Sequence, residues 1–178
     1  MKKFIKTFTL PIILIMSLSF ASCSGVLIAT SNNTSTPDTT SAPAIGKINL
    51  EKAKIMIEAC EKKAKEIGVP MVIAVVDEGG NFVAQHKMDD ALIASIEISK
   101  AKAYTSVAFK MSTEDLGKLS LPDSELWGID SFNSGEYIVF GGGFPIIEDG
   151  KVIGGIGVSG GSVAEDIKVA TAGLSALK

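Results

Sequence analysis

The chain has 178 residues and a net charge of −3, from 20 acidic residues and 17 basic ones that are all lysine. That length allows one domain once the ends are discounted, and 46% hydrophobic residues is in the globular range. The acidic balance excludes a nucleic-acid footprint, and a chain without arginine lacks the bidentate fork best suited to carboxylates and phosphates.

The N-terminus reads as a targeting segment. Lys2, Lys3 and Lys6 form a basic start, and Phe8 to Phe20 is an apolar run of signal-peptide length, too short for a comfortable membrane span. Small residues then precede a cysteine in Phe20-Ala21-Ser22-Cys23. This resembles a bacterial lipobox, in which Cys23 is lipidated, although Phe20 stands where leucine is usual. Ordinary secretion with cleavage nearby is the alternative. Residues 1–22 are therefore expected to be a signal peptide of the lipoprotein type. Residues 23–46, with the polar stretch SNNTSTPDTTSAP, read as a flexible linker with almost no apolar surface to bury. The folded domain is expected over residues 47–178, held outside the cytoplasm and anchored to a membrane.

The domain opens with Asn49 as a helix N-cap. Leu50, Ala53, Ile57, Cys60, Ala64 and Ile67 recur at helical spacing, and Gly68 closes the helix. With Cys23 lipidated, Cys60 has no partner, and it reads as a small buried hydrophobe. Met71 to Val76 is a continuous apolar strand, and Asp77 to Asn81 a turn. Phe82 to Met88 returns as a second strand with Phe82, Ala84, His86 and Met88 on one face.

Asp89-Asp90 ends the hairpin and can cap a long helix, Ala91 to Lys110. Its many small residues permit close approach to a sheet or a second subunit. Thr113 to Leu119 adds a helical turn capped by Ser112 or Thr113. Leu121 to Glu136 is polar and irregular, and its Trp127 is a local packing anchor or a ligand clamp. Tyr137 to Phe140 reads as a short strand. Gly141-Gly142-Gly143 marks backbone passing close to another element or a ligand, and could also form a nest of N–H groups for an anion. Asp149-Gly150 between two apolar runs predicts a hairpin with a type I′ turn. Ser162-Val163-Ala164-Glu165 is a capping box opening the last helix. Five strands joined mostly by hairpins, with helices between, predict an α+β fold with an antiparallel sheet.

Four stretches resemble the haem-binding HbpS and glycolate-utilisation GlcG family, which includes the C-terminal domain of PduO corrinoid adenosyltransferases. They are VIAVVDEGGNFVAQHKMD (72–89), ASIEISKAKAYTSVAF (94–109), FGGGFPI (140–146) and GGIGVSGG (154–161). The resemblance implies a profilin-like α-β-α arrangement with a five-stranded antiparallel sheet flanked by helices, and self-assembly into homo-oligomers. It also implies haem or related tetrapyrrole binding, with haem degradation as a reported activity. The chain departs from the family at Asp90, where glycine is usual.

A haem site needs an axial donor, an apolar slot and a polar partner for the propionates. His86 is the sole histidine and the candidate iron ligand; a hydrogen-bonded histidine on a sheet face is the competing reading. Met88 is a soft second donor or core filler. Lys87 and Lys102 are candidate propionate partners, or simply solvated. Gly141, Gly142 and Gly143 complete the candidate cofactor-binding set, their side-chain-free crossing leaving an apolar crevice for a flat macrocycle. Ser159 sits in a Gly-x-Ser-x-Gly stretch, but the histidine precedes it, opposite to the order of a hydrolase elbow. Asp77, Glu78, Asp89 and Asp90 are turn acids, usually solvated rather than metal-binding. No acid–base pair stands out for catalysis. The sequence thus predicts extracytoplasmic tetrapyrrole binding for scavenging or redox sensing. The alternatives are a small-organic-acid binding module or an accessory partner of a membrane sensor or transporter.

Overall fold

The structure, a computed structural model, describes residues 46–178. The targeting segment, Cys23 and nearly all of the linker lie outside the described residues. Among those residues, no helix is long and apolar enough to cross a membrane.

The elements are α1 (Leu50–Ile67), β1 (Val72–Asp77), β2 (Phe82–Lys87), α2 (Ala94–Phe109), α3 (Thr113–Leu119), β3 (Gly143–Glu148), β4 (Lys151–Ser159) and α4 (Val163–Ser175). The sheet runs β2-β1-β4-β3 with every neighbouring pair antiparallel. Alternation sorts the strand residues into two layers of core. Ile73, Val75, Ile156 and Val158 meet Met56, Ile57 and Cys60 of α1 and Val169 and Ala170 of α4. Ala74 and Val76 meet Ala103 and Val107 of α2 on the opposite face.

Local signals set the boundaries. Asn49 accepts from the Lys52 N–H (2.9 Å), and Gly68 closes α1 in the left-handed region. Ser112 caps α3, and Ser162 with Glu165 forms the capping box of α4. Asp149 and Gly150 both have positive φ, as a type I′ turn requires. The Cys60 thiol donates to the Val169 carbonyl (3.3 Å), and burial pushes its pKa up to about 12. In a Cys23→Ser protein, Cys60 is therefore expected to resist a thiol reagent near neutral pH until denaturant opens the domain. Rapid labelling of the native protein would contradict that burial.

Several sequence expectations are corrected. The sheet has four strands, not five. Tyr137 to Phe140 is apolar enough for a strand but is fastened to helices instead. The Ile138 N–H donates to Thr105 Oγ1 on α2 (3.1 Å), and the Val139 carbonyl lies against Gly117 of α3. Asp89 and Asp90 do not cap α2. Its N-cap is Ile93, without a side-chain hydrogen bond, and Leu92 and Ile93 are exposed. Asp90 has φ +64°, the left-handed region in which glycine is most at ease and aspartate is tolerated. Trp127 is exposed rather than a packing anchor.

Phe82 does not share a face with His86. A bulge shifts the register so that Val75 faces Ala84 while Val76 faces Phe82. The extra residue turns the start of β2 over. Phe82 therefore lies on the α2 side, and Ala84 and His86 on the α1 side.

Candidate functional site

The residues proposed from the sequence fall into two separate places. His86 and Met88 stand at the end of β2, on the α1 side. Lys102 and Gly141–Gly143 meet in the interior between α2, β4 and α4.

His86 is half-exposed on an edge strand, opposite Ile73. Its Nδ1 lies 2.8 Å from Glu61 Oε1, on α1. A neutral imidazole facing a carboxylate keeps its proton on Nδ1, so Nε2 presents a lone pair. This carboxylate–histidine pairing is the usual support of a metal-ligating imidazole, because it fixes tautomer and ring orientation and raises ligand basicity. Beside it is a shallow cleft of about 350 Å³, lined by Glu61, Lys65, Pro70, Lys87, Met88 and Asp89. The cleft offers two ammonium groups, Lys65 and Lys87, for anionic substituents. The donor, its orienting partner and the two ammonium groups are of the kind a haem held by one imidazole would need, with the carboxylates of Glu61 and Asp89 beside them. Met88 is not a second donor here, since its sulfur accepts from the Met71 N–H (3.5 Å) and its side chain packs on the core.

Lys102 is neither a propionate partner nor a solvated lysine, because it is fully buried. Its Nζ donates to Asp166 Oδ2 (2.6 Å) and to the Val158 carbonyl (2.9 Å), and lies 4.8 Å from the centre of the Phe140 ring. The three ammonium protons thus have three partners. Asp166 also accepts from the Gly161 N–H (3.1 Å). Burial pushes Lys102 below the usual lysine range, opposed by Asp166. Burial likewise pushes Asp166 above the usual aspartate range, opposed by Lys102. Both directions express the cost of removing charge from water. We take the pair as charged, because each charge has several partners in place.

The glycine run is the floor of this pair. Gly142 has φ +114°, and a Cβ there would stand 2.8 Å from Lys102 Nζ and 2.7 Å from the Val158 carbonyl. Gly143 passes under the backbone of Lys102, and its N–H donates to Thr113 Oγ1 (3.0 Å). The crossing is therefore filled by an ion pair, not open as a crevice for a macrocycle, and the Gly143 N–H is not free for an anion.

Ser159 is buried at the end of β4, with its hydroxyl donating to Ser95 Oγ on α2 (3.1 Å), on the side of the sheet away from His86. No hydrolase elbow is formed. Among the described residues, no group of three or more His, Cys, Asp or Glu side chains is placed to hold a metal ion. Sequence reasoning missed Glu61 and Lys65. In the sequence they are two of many charges on the outer face of α1, and only the packing of α1 over β2 singles them out.

The fold is a three-layer α+β domain with a half-exposed imidazole paired to a carboxylate at one edge of its sheet. The model of the family described as haem-degrading protein, HbpS-like, matches residues 48–175, and the chain belongs to that family. A 15.0 kDa protein of the dhaT–dhaS intergenic region of Citrobacter freundii is 45% identical over 122 residues, covering 68% of this chain and 86% of that protein. The corrinoid adenosyltransferase PduO of Salmonella typhimurium is 37% identical over 122 residues, 68% of this chain but only 36% of PduO. The crystal structure of a PduOC–haem complex superposes with a TM-score of 0.71 at 35% identity, covering 73% of this chain and 94% of that one. The resemblance drawn from the four sequence stretches is therefore correct.

Proposed function

We propose that the domain binds haem or a related tetrapyrrole, with His86 Nε2 as the iron ligand. The observation that carries this reading is the Glu61–His86 contact of 2.8 Å on a half-exposed imidazole. Glu61 holds the ring and its tautomer; Lys65 and Lys87 receive the carboxylates; Pro70 and the aliphatic part of Met88 support one edge. Haem bound there would supply one-electron redox chemistry. The cleft is shallow, so one copy covers only part of a macrocycle. A second copy over the opposite face would complete the enclosure, which accords with the homo-oligomer expected from the family. The basic, apolar and Cys23-containing N-terminus supports delivery outside the cytoplasm with a lipid anchor. Scavenging or redox sensing is the role we assign to such a protein.

Titration with ferric haem tests the assignment. The wild-type protein is expected to shift the Soret band, and His86→Ala to abolish or strongly alter that shift. Glu61→Gln is expected to weaken binding about tenfold by leaving the imidazole unsupported. A shift identical in wild type and His86→Ala would remove His86 from the site.

A further inference from the structure

A second concavity lies on the other face of the sheet, between α2 and the β1–β2 hairpin. Its volume is about 330 Å³, and its walls include Phe82, Ile98, Ala101, Tyr104 and Ile138 over a floor at Val76. That size is at the lower end of small-molecule pockets, which are mostly apolar with a few placed polar groups. Two features make it a formed cleft. The bulge in β2 places Phe82 on this side. Gly80 lets the hairpin pass over the Tyr104 ring, since a Cβ there would stand 2.7 Å from the ring edge. Tyr104 is held from behind by Tyr137, whose ring is parallel to it within 5°. Phe82 remains half-exposed although it lines the cleft.

The rim decides the ligand class. It carries Glu97, Lys100 and Glu136. Lys100 lies 3.9 Å from Glu97, an i,i+3 pair that neutralises itself. Glu136 is exposed and is met by the neutral Asn133 amide (2.8 Å). The cleft therefore has aromatic walls and a net negative mouth. Aromatic faces beside a carboxylate attract cations and repel the carboxylates of haem or an organic acid. We propose that this cleft binds a small flat aromatic molecule carrying an amine, independently of the His86 site.

Tryptamine, indole and indole-3-acetate share one ring system and differ in charge, so they separate the contributions. Binding is measured by heteronuclear NMR shifts on the intact protein. Tryptamine is expected to bind most tightly and indole-3-acetate least, with shifts at Gly80, Ala101 and Tyr104. Glu136→Gln, on an exposed side chain, is expected to weaken tryptamine about two- to fivefold while leaving indole unchanged. Ala101→Phe, which fills the cleft, is expected to abolish all binding there while haem titration proceeds as in wild type. The proposal is overturned if none of the three shifts these residues, as when a second copy covers the cleft. It is equally overturned if indole-3-acetate binds as well as tryptamine, or if tryptamine is indifferent to both variants.

Discussion

Lys102→Met is expected to cost about 3–5 kcal/mol of folding stability, because it leaves a buried carboxylate without its counter-charge. That is a large part of the about 5–15 kcal/mol available to a typical domain. Asp166 is almost fully buried, and its remaining support comes from the backbone N–H groups of Gly161 and Gly160. Burial already raises its pKa in the wild-type protein. Without the ammonium group that opposes this, the native carboxyl holds its proton at a pH where the unfolded chain has released it. Stability gained by binding that proton is complete below the unfolded carboxyl pKa and is lost as pH rises through the native one. The deficit of Lys102→Met should therefore shrink as pH falls across that window. The double variant Lys102→Met/Asp166→Asn removes both charges and keeps an acceptor for Gly161, so it should lose clearly less than the two single variants summed. Urea unfolding across pH checks this. A Lys102→Met protein as stable as wild type would mean that the pair is not buried as described.

Gly157→Ala is the second large effect. The new Cβ would stand 2.0 Å from the Ser99 carbonyl and 2.5 Å from the Ala103 nitrogen, both backbone atoms of α2. A rotamer change cannot relieve such a clash, so α2 must lift from the sheet. Overpacking in a core costs about 1–3 kcal/mol and sometimes more; rigid obstruction puts this site at or above the top of that range. Gly150→Ala is the control. Its φ is +74° and nothing lies within 4 Å of the added carbon, so it should lose only about 1–2 kcal/mol for the left-handed backbone. Equal midpoint losses for the two, at unchanged denaturant slope, would contradict the close approach of α2 to β4.

Features written within a few residues were legible in the sequence. The Asp149-Gly150 turn, the capping box at Ser162 and Glu165, and the two ends of α1 each depend on neighbours in the chain. Features set by distant partners were not. The bulge in β2 depends on its pairing with β1, and it sends Phe82 and His86 to opposite faces. Tyr137–Phe140 has strand composition, but its partners are a threonine hydroxyl and a helix glycine. Lys102 gave no local signal of its burial. Ser99 and Ser106, three and four residues either side of it, are buried with it only because α2 packs on the sheet. What no local pattern could announce is its partner Asp166, 64 positions away. The glycine run was legible as a close backbone approach. Its neighbour turned out to be this ion pair, and the candidate haem surface moved to the edge of the sheet.

The most direct measurement is the absorption spectrum of the protein reconstituted with ferric haem, compared between wild type, His86→Ala, and His86→Ala with added imidazole. The account predicts an imidazole-ligated spectrum for wild type, its loss in the variant, and its return with free imidazole. Identical spectra for all three samples would show that the iron is held elsewhere.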